Sequence, residues 1–120
     1  MRIEVTMAIL IRTDGWMARM TPNNGWSFTL EELQRLVGGY IEVAHARGRR
    51  RLLVMNEDGR RLLLKPNTAA TELHRLAGGA AGEVVGDVIL CTWRELGSRD
   101  EQSLPYAMAL ADERDWRRRR

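Results

Sequence analysis

Glu32-Leu33-Gln34-Arg35-Leu36-Val37-Gly38-Gly39 returns, nearly unchanged, as Glu72-Leu73-His74-Arg75-Leu76-Ala77-Gly78-Gly79. Each copy reads as a helix closed by glycine, since Gly-Gly permits the left-handed residue that ends a helix. Upstream of each lies a second matched pair, Asp14-Gly15 with Pro22-Asn23 and Asp58-Gly59 with Pro66-Asn67. Asp-Gly marks a tight hairpin turn, and Pro-Asn breaks regular structure. The order hairpin, break, helix, strand therefore runs twice. Convergent helix and hairpin grammar accounts for much of this, and duplication is the alternative.

The flanking segments fill in that frame. Arg2 to Arg12 and Trp16 to Thr21 read as a first pair of strands. Thr29 and Glu32 form a capping box for helix one, whose Leu30, Leu33, Leu36 and Val37 share a face. Glu31 and Arg35 are spaced to pair across one helical turn. Tyr40 to Ala44 alternates as a strand. Leu52 to Met55 and Arg60 to Lys65, around the turn Asn56-Glu57-Asp58-Gly59, read as a second hairpin. Asn67 or Thr68 caps helix two, which runs to Ala77. The last strand covers Val84 to Trp93, with Gly86-Asp87 marking a bulge or delayed start. Ser103 begins a C-terminal helix, 103–116, whose Tyr106 to Ala111 stretch is apolar all round.

The expected fold is α+β: two hairpin-helix-strand units (ββαβ twice) around one mixed or antiparallel sheet, plus the C-terminal helix. Residues 1–120 form one domain with repeat-like halves 1–46 and 51–93, and 117–120 form a basic tail. That length suits one domain or two small repeats sharing a core.

Composition narrows the function classes. The formal charge is +3, but Arg117 to Arg120 supply four positive charges, so the body carries −1. Lys65 is the only lysine among many arginines. A GC-rich coding sequence explains that bias plainly; selection for bidentate phosphate contacts is the sharper alternative. The single cysteine, Cys91, excludes an internal disulfide and reads as a small buried hydrophobe in a reducing compartment. Nothing resembles a signal peptide or a membrane span, so a soluble cytoplasmic protein is expected.

No constellation points to catalysis, and no cofactor is expected. Both Gly-Gly pairs follow helices, where carbonyls are exposed, so neither cradles phosphate. His45 and His74 are far apart with no metal-ligand spacing, and His74 falls on the polar side of its helix as a solvated residue. Ser27, Ser98 and Ser103 sit in loops or caps.

Two binding readings remain. Tyr40 and Glu42 share a strand face; with the amides Asn56 and Asn67 and the neighbouring Thr71 they form a candidate site for a polar ligand. The plainer reading makes Asn56 and Asn67 a turn and a helix cap, with Glu42 solvated. For nucleic acid the candidates are Arg47, Arg49, Arg50 and Arg51 with Arg117, Arg118, Arg119 and Arg120, with Trp16, Trp26 and Tyr40 as stacking faces.

The run Leu33-Gln34-x-x-Val37-Gly38-Gly39-Tyr40-Ile41-Glu42, followed by Asn56-Glu57-Asp58-Gly59, Pro66-Asn67-x-x-Ala70-Thr71 and Gly86-Asp87-Val88, resembles a known family. It is the domain of unknown function 3846 family of small phage and plasmid proteins. The likeness spans roughly Leu30 to Leu90; the Arg47 loop, the Trp-rich turns and the tail depart from it. It implies a non-enzymatic mobile-element protein of the host cytoplasm and carries over no catalytic residue. The expected activity is occupancy: binding a host protein, as in counter-defence, or sequestering a small polar or nucleotide ligand. A nucleic-acid accessory role is the alternative. The 104–111 stretch offers a route to homo-oligomers.

Overall fold

The computed structural model describes residues 8–46, 51–78 and 82–97. Five strands form one antiparallel sheet: β1 (Ala8–Ile11), β2 (Met17–Met20), β3 (Ile41–His45), β4 (Arg51–Asn56) and β5 (Val88–Thr92), in the order β2-β1-β5-β4-β3. Helix α1 (Leu30–Val37) connects the two sheet edges, from β2 to β3, and α2 (Thr68–Leu76) connects β4 to β5. A 3-10 turn, Arg94–Leu96, follows β5.

Asp14-Gly15 does make the first hairpin. Gly15 has φ +88°, and the Arg12 amide donates to the Trp16 carbonyl at 2.9 Å. The second hairpin lies elsewhere. β3 pairs antiparallel with β4 from Ile41↔Asn56 to His45↔Leu52, so β4 is the second strand of that hairpin and not its first. The expected strand Arg60 to Lys65 does not form. β4 already has β3 on one side and β5 on the other, leaving no edge for a third partner. The 57–63 segment instead coils through successive turns, with Leu62 N–H donating to the Asp58 carbonyl and Leu64 N–H to that of Gly59. Leu63 takes a left-handed φ of +56° and is 88% exposed. The second unit is therefore strand, coiled loop, helix, strand. The expected C-terminal helix, 103–116, and the tail, 117–120, lie outside the described residues.

The core has two layers because β4 and β5 are buried on both faces, as their continuous apolar runs require. Leu52, Val54, Ile89 and Cys91 pack with Leu33 and Val37 of α1, joined by Phe28 and Leu96. The alternate residues Leu53, Met55, Val88 and Leu90 pack with Ala70 of α2 and with Val84. The two helices thus lie on opposite faces of one sheet. Cys91 is fully buried, and desolvation, reinforced by the charge of Glu95, pushes its thiol pKa far up.

The doubled octapeptide is not packed twice the same way. α1 buries Leu33 and Val37, whereas α2 buries Ala70 and His74. His74, expected to be solvated, is turned inward, with Nδ1 2.9 Å from the His45 carbonyl. A carbonyl can only accept, so Nδ1 carries the proton. Ala70 and His74 lie one helical turn apart and so share the buried face of α2. The Glu31–Arg35 pair is also not formed among the described residues; Arg35 has no carboxylate within ion-pair distance.

Candidate functional site

A cleft of about 180 Å³ opens where the coiled loop after β4 meets the segment before β5. Its walls include Glu42 from β3, Met55 from β4, Glu57 to Arg61 from the loop, and Glu83 to Val85. The loop begins as it does because Asn56 turns the chain: its Oδ1 accepts from the Asp58 amide at 2.8 Å. Gly59 then lies so close to the 83–85 segment that a Cβ there would stand 2.7 Å from Val85 Cγ2. The Arg60 guanidinium donates to the Glu83 carbonyl and ties the two walls together. Arg61 pairs with Asp58 at 3.4 Å on the outer lip.

Glu42 is the buried carboxyl of this cleft, only 6% exposed, against the expectation that it is solvated. It pairs in register with Met55, so both side chains lie on the α2 face of the sheet. Its neighbours in the wall carry both signs of charge, from Glu57, Asp58 and Glu83 to Arg60 and Arg61. The cleft is therefore a polar one, with Arg60 held by the Glu83 carbonyl and Arg61 by Asp58.

The other sequence-predicted ligand residues separate into distinct places. Asn56 borders the cleft, but its amide is spent on structure: Nδ2 donates to the Val37 carbonyl at 3.1 Å, on the α1 side. Asn67 is the cap of α2, with Oδ1 accepting from Ala70 N–H at 3.1 Å. Its Nδ2 donates to the carbonyls of Ile11 and Gly86, at 2.9 and 3.0 Å. Thr71 bonds its own helix through the Asn67 carbonyl and accepts from the Val84 amide at 2.8 Å. Tyr40 stands 68% exposed before β3, outside the cleft wall. The turn-and-cap reading thus describes Asn56 and Asn67, and Glu42 alone of the five puts a buried ionisable group into the cleft.

Sequence reasoning missed Arg60, Arg61 and Glu83, because the cleft depends on a coiled loop where a strand was expected. It also missed Glu95. That carboxyl is 1% exposed; Oε1 accepts from the Thr92 amide and hydroxyl at 3.0 and 3.1 Å, and Oε2 has no hydrogen-bond partner among the described residues.

The nucleic-acid candidates are placed only in part. Arg51 begins β4 opposite Thr92 and is half-buried. Arg47, Arg49, Arg50 and Arg117 to Arg120 lie outside the described residues. Arg60 and Arg61 follow the far end of β4 from Arg51, which breaks any continuous basic stripe along that strand. Two of the three stacking faces have cations of their own: Arg94 lies 4.0 Å from the Trp26 ring centre and Arg12 lies 5.7 Å from that of Trp16.

Among the described residues no helix is long and apolar enough to cross a membrane. No group of three or more His, Cys, Asp or Glu side chains among them is disposed to hold a metal ion. No curated protein and no solved structure matches the chain. A family model does match, over residues 6–113 and so over nearly the whole length; the chain belongs to the family described as a domain of unknown function, DUF3846.

Proposed function

We propose that this protein is a small binding module of a phage or other mobile element, acting in the host cytoplasm by occupancy and not by turnover. The observation that carries the reading is the cleft lined by the buried Glu42 and by charged groups of both signs. Its volume of about 180 Å³ lies below the roughly 300–1,000 Å³ of sites for drug-sized ligands. The cleft thus fits a small polar molecule, or the polar end of a larger one, better than a whole nucleotide. Sequestering such a molecule would serve counter-defence or host takeover. Self-association through the 104–111 segment, whose Tyr106 to Ala111 are all apolar, belongs to the same proposal.

The test is native mass spectrometry of protein purified from cells, with Glu42→Gln alongside. The expected result is a small-molecule adduct on the native protein that is lost from the variant. A bare subunit redirects the reading to a host-protein target, and multiple turnover of any substrate removes it. DNA or RNA binding that weakens steeply with salt and is lost on deletion of 117–120 would favour the nucleic-acid accessory role instead.

A further inference from the structure

Arg35 and Arg75 occupy the same place in the doubled octapeptide, yet among the described residues only Arg75 forms an ion pair within its own helix. Arg75 makes a bidentate pair with Glu72, Nε lying 2.9 Å from Oε2. That contact holds the Glu72 carboxyl below its ordinary pKa and raises that of the guanidinium. In α1 the equivalent acid is spent elsewhere. Glu32 accepts from the backbone amides of Thr29 and Asn23, at 2.9 and 2.8 Å, completing the capping box. Arg35 keeps the attraction of Glu32 one turn away but has no carboxylate within ion-pair distance among the described residues.

Arg35 lines a groove of about 340 Å³ that shares no lining residue with the Glu42 cleft. The chain's only lysine, Lys65, lines the same groove and likewise has no ion-pair partner among the described residues. Thr13, Gly38, Leu64 and Asp87 contribute to the remaining wall. Asp87 uses Oδ1 to accept from the Thr13 amide at 3.0 Å, and its Oδ2 is not engaged by any described residue. The C-terminal end of α1 would ordinarily repel an anion. Here the Gln34 carbonyl is already taken by the Gly38 and Gly39 amides, and that of Val37 by Asn56.

We propose that this groove binds small phosphate monoesters that carry hydroxyl groups, the sugar-phosphate or nucleoside-monophosphate class. The phosphate lies between Arg35 and Lys65, and a hydroxyl donates to Asp87 Oδ2. A planar guanidinium fork beside an ammonium suits a dianionic phosphate, and the volume falls within the range of small-molecule sites. This site stands whether or not a ligand occupies the Glu42 cleft.

The experiment is calorimetric titration of the full chain with ribose 5-phosphate, with adenosine monophosphate and with ribose. Arg35→Gln, Lys65→Gln and the control Arg75→Gln are titrated in parallel, each first shown by circular dichroism to be folded. The expected result is saturable binding of at least one phosphate and none of ribose. Each groove variant should weaken it about tenfold, the loss of one charge-assisted contact, with Arg75→Gln unchanged. Tighter binding of ribose 5-phosphate identifies the sugar phosphate, and tighter binding of the nucleotide identifies the nucleotide. The proposal is overturned by no saturable binding at millimolar phosphate ester, or by an equal loss in Arg75→Gln. It is equally overturned if an oligonucleotide without terminal phosphate binds as tightly as the monoesters, since the groove would then read a polynucleotide backbone.

Discussion

Asn67 reaches across the fold to Ile11: its Nδ2 donates to the carbonyl that ends β1, at 2.9 Å and 56 residues away in the chain. The same amide also holds the Gly86 carbonyl and caps α2. One side chain thus joins the first strand, the second helix and the approach to the last strand.

Removing that junction should be expensive. Asn67→Ala leaves two buried carbonyls without a donor and uncaps a helix, so a loss of about 2–4 kcal/mol is expected in urea unfolding. Asn67→Asp keeps the cap oxygen but sets a second oxygen against both carbonyls. It should be destabilised as much as the alanine variant. If Asp were tolerated, the cap and not the junction would be the source of the stability.

Gly59 and Val85 set the width of the cleft. A Cβ at position 59 would lie 2.7 Å from Val85 Cγ2, and a β-branched valine has little freedom to yield. Gly59→Ala should therefore cost about 1–3 kcal/mol. Adding Val85→Ala should recover part of that loss, which a double-mutant cycle would read as a favourable coupling. Simple additivity would place the strain elsewhere.

Glu95 is held by Thr92 through one oxygen only. Glu95→Gln keeps an acceptor for the Thr92 amide and hydroxyl, and thermal unfolding should place it within about 1 kcal/mol of the parent. Glu95→Ala strands both donors and should lose about 1–3 kcal/mol. A glutamine variant as unstable as the alanine variant would mean that the second oxygen has a role of its own.

The α1 cap should titrate. The Thr29 amide, followed by that of Asn23, holds the Glu32 carboxyl below its ordinary value of 4.5. A depressed folded-state pKa contributes stability that is full above the ordinary value and is lost as pH falls through the folded one. Glu32→Gln should therefore be less stable than the parent at neutral pH, with the gap closing in acid. Urea midpoints of both proteins across that range measure it. A gap of constant size would show that the charge contributes nothing.

Much of the local structure was legible before any fold was known. The Thr29–Glu32 capping box, the Asp14-Gly15 hairpin and the closing Gly38 depend on neighbours a few residues away, and the chain carries their chemistry in order. Gly86, read as a bulge or a delayed start, has φ +80° just before β5 begins at Val88. Both hairpins looked alike because both contain Asp-Gly. Whether a strand follows such a turn depends on a free sheet edge, and β4 has none.

The same division runs through the candidate sites. Nothing within the two nearly identical octapeptides shows that His74 is buried where its counterpart Gln34 is not. The sequence alone determined helix starts and stops, the first hairpin, the apolar strands and the family motif, because each rests on contacts within a few residues or on a continuous pattern. The tertiary structure decided which helix face is buried, that Glu42 lies inside a cleft, and that Arg35 and Lys65 line one groove. Those outcomes depend on which distant segments share a sheet edge or a helix end. Burial and charge pairing are set by such neighbours, and no residue carries them in its own identity.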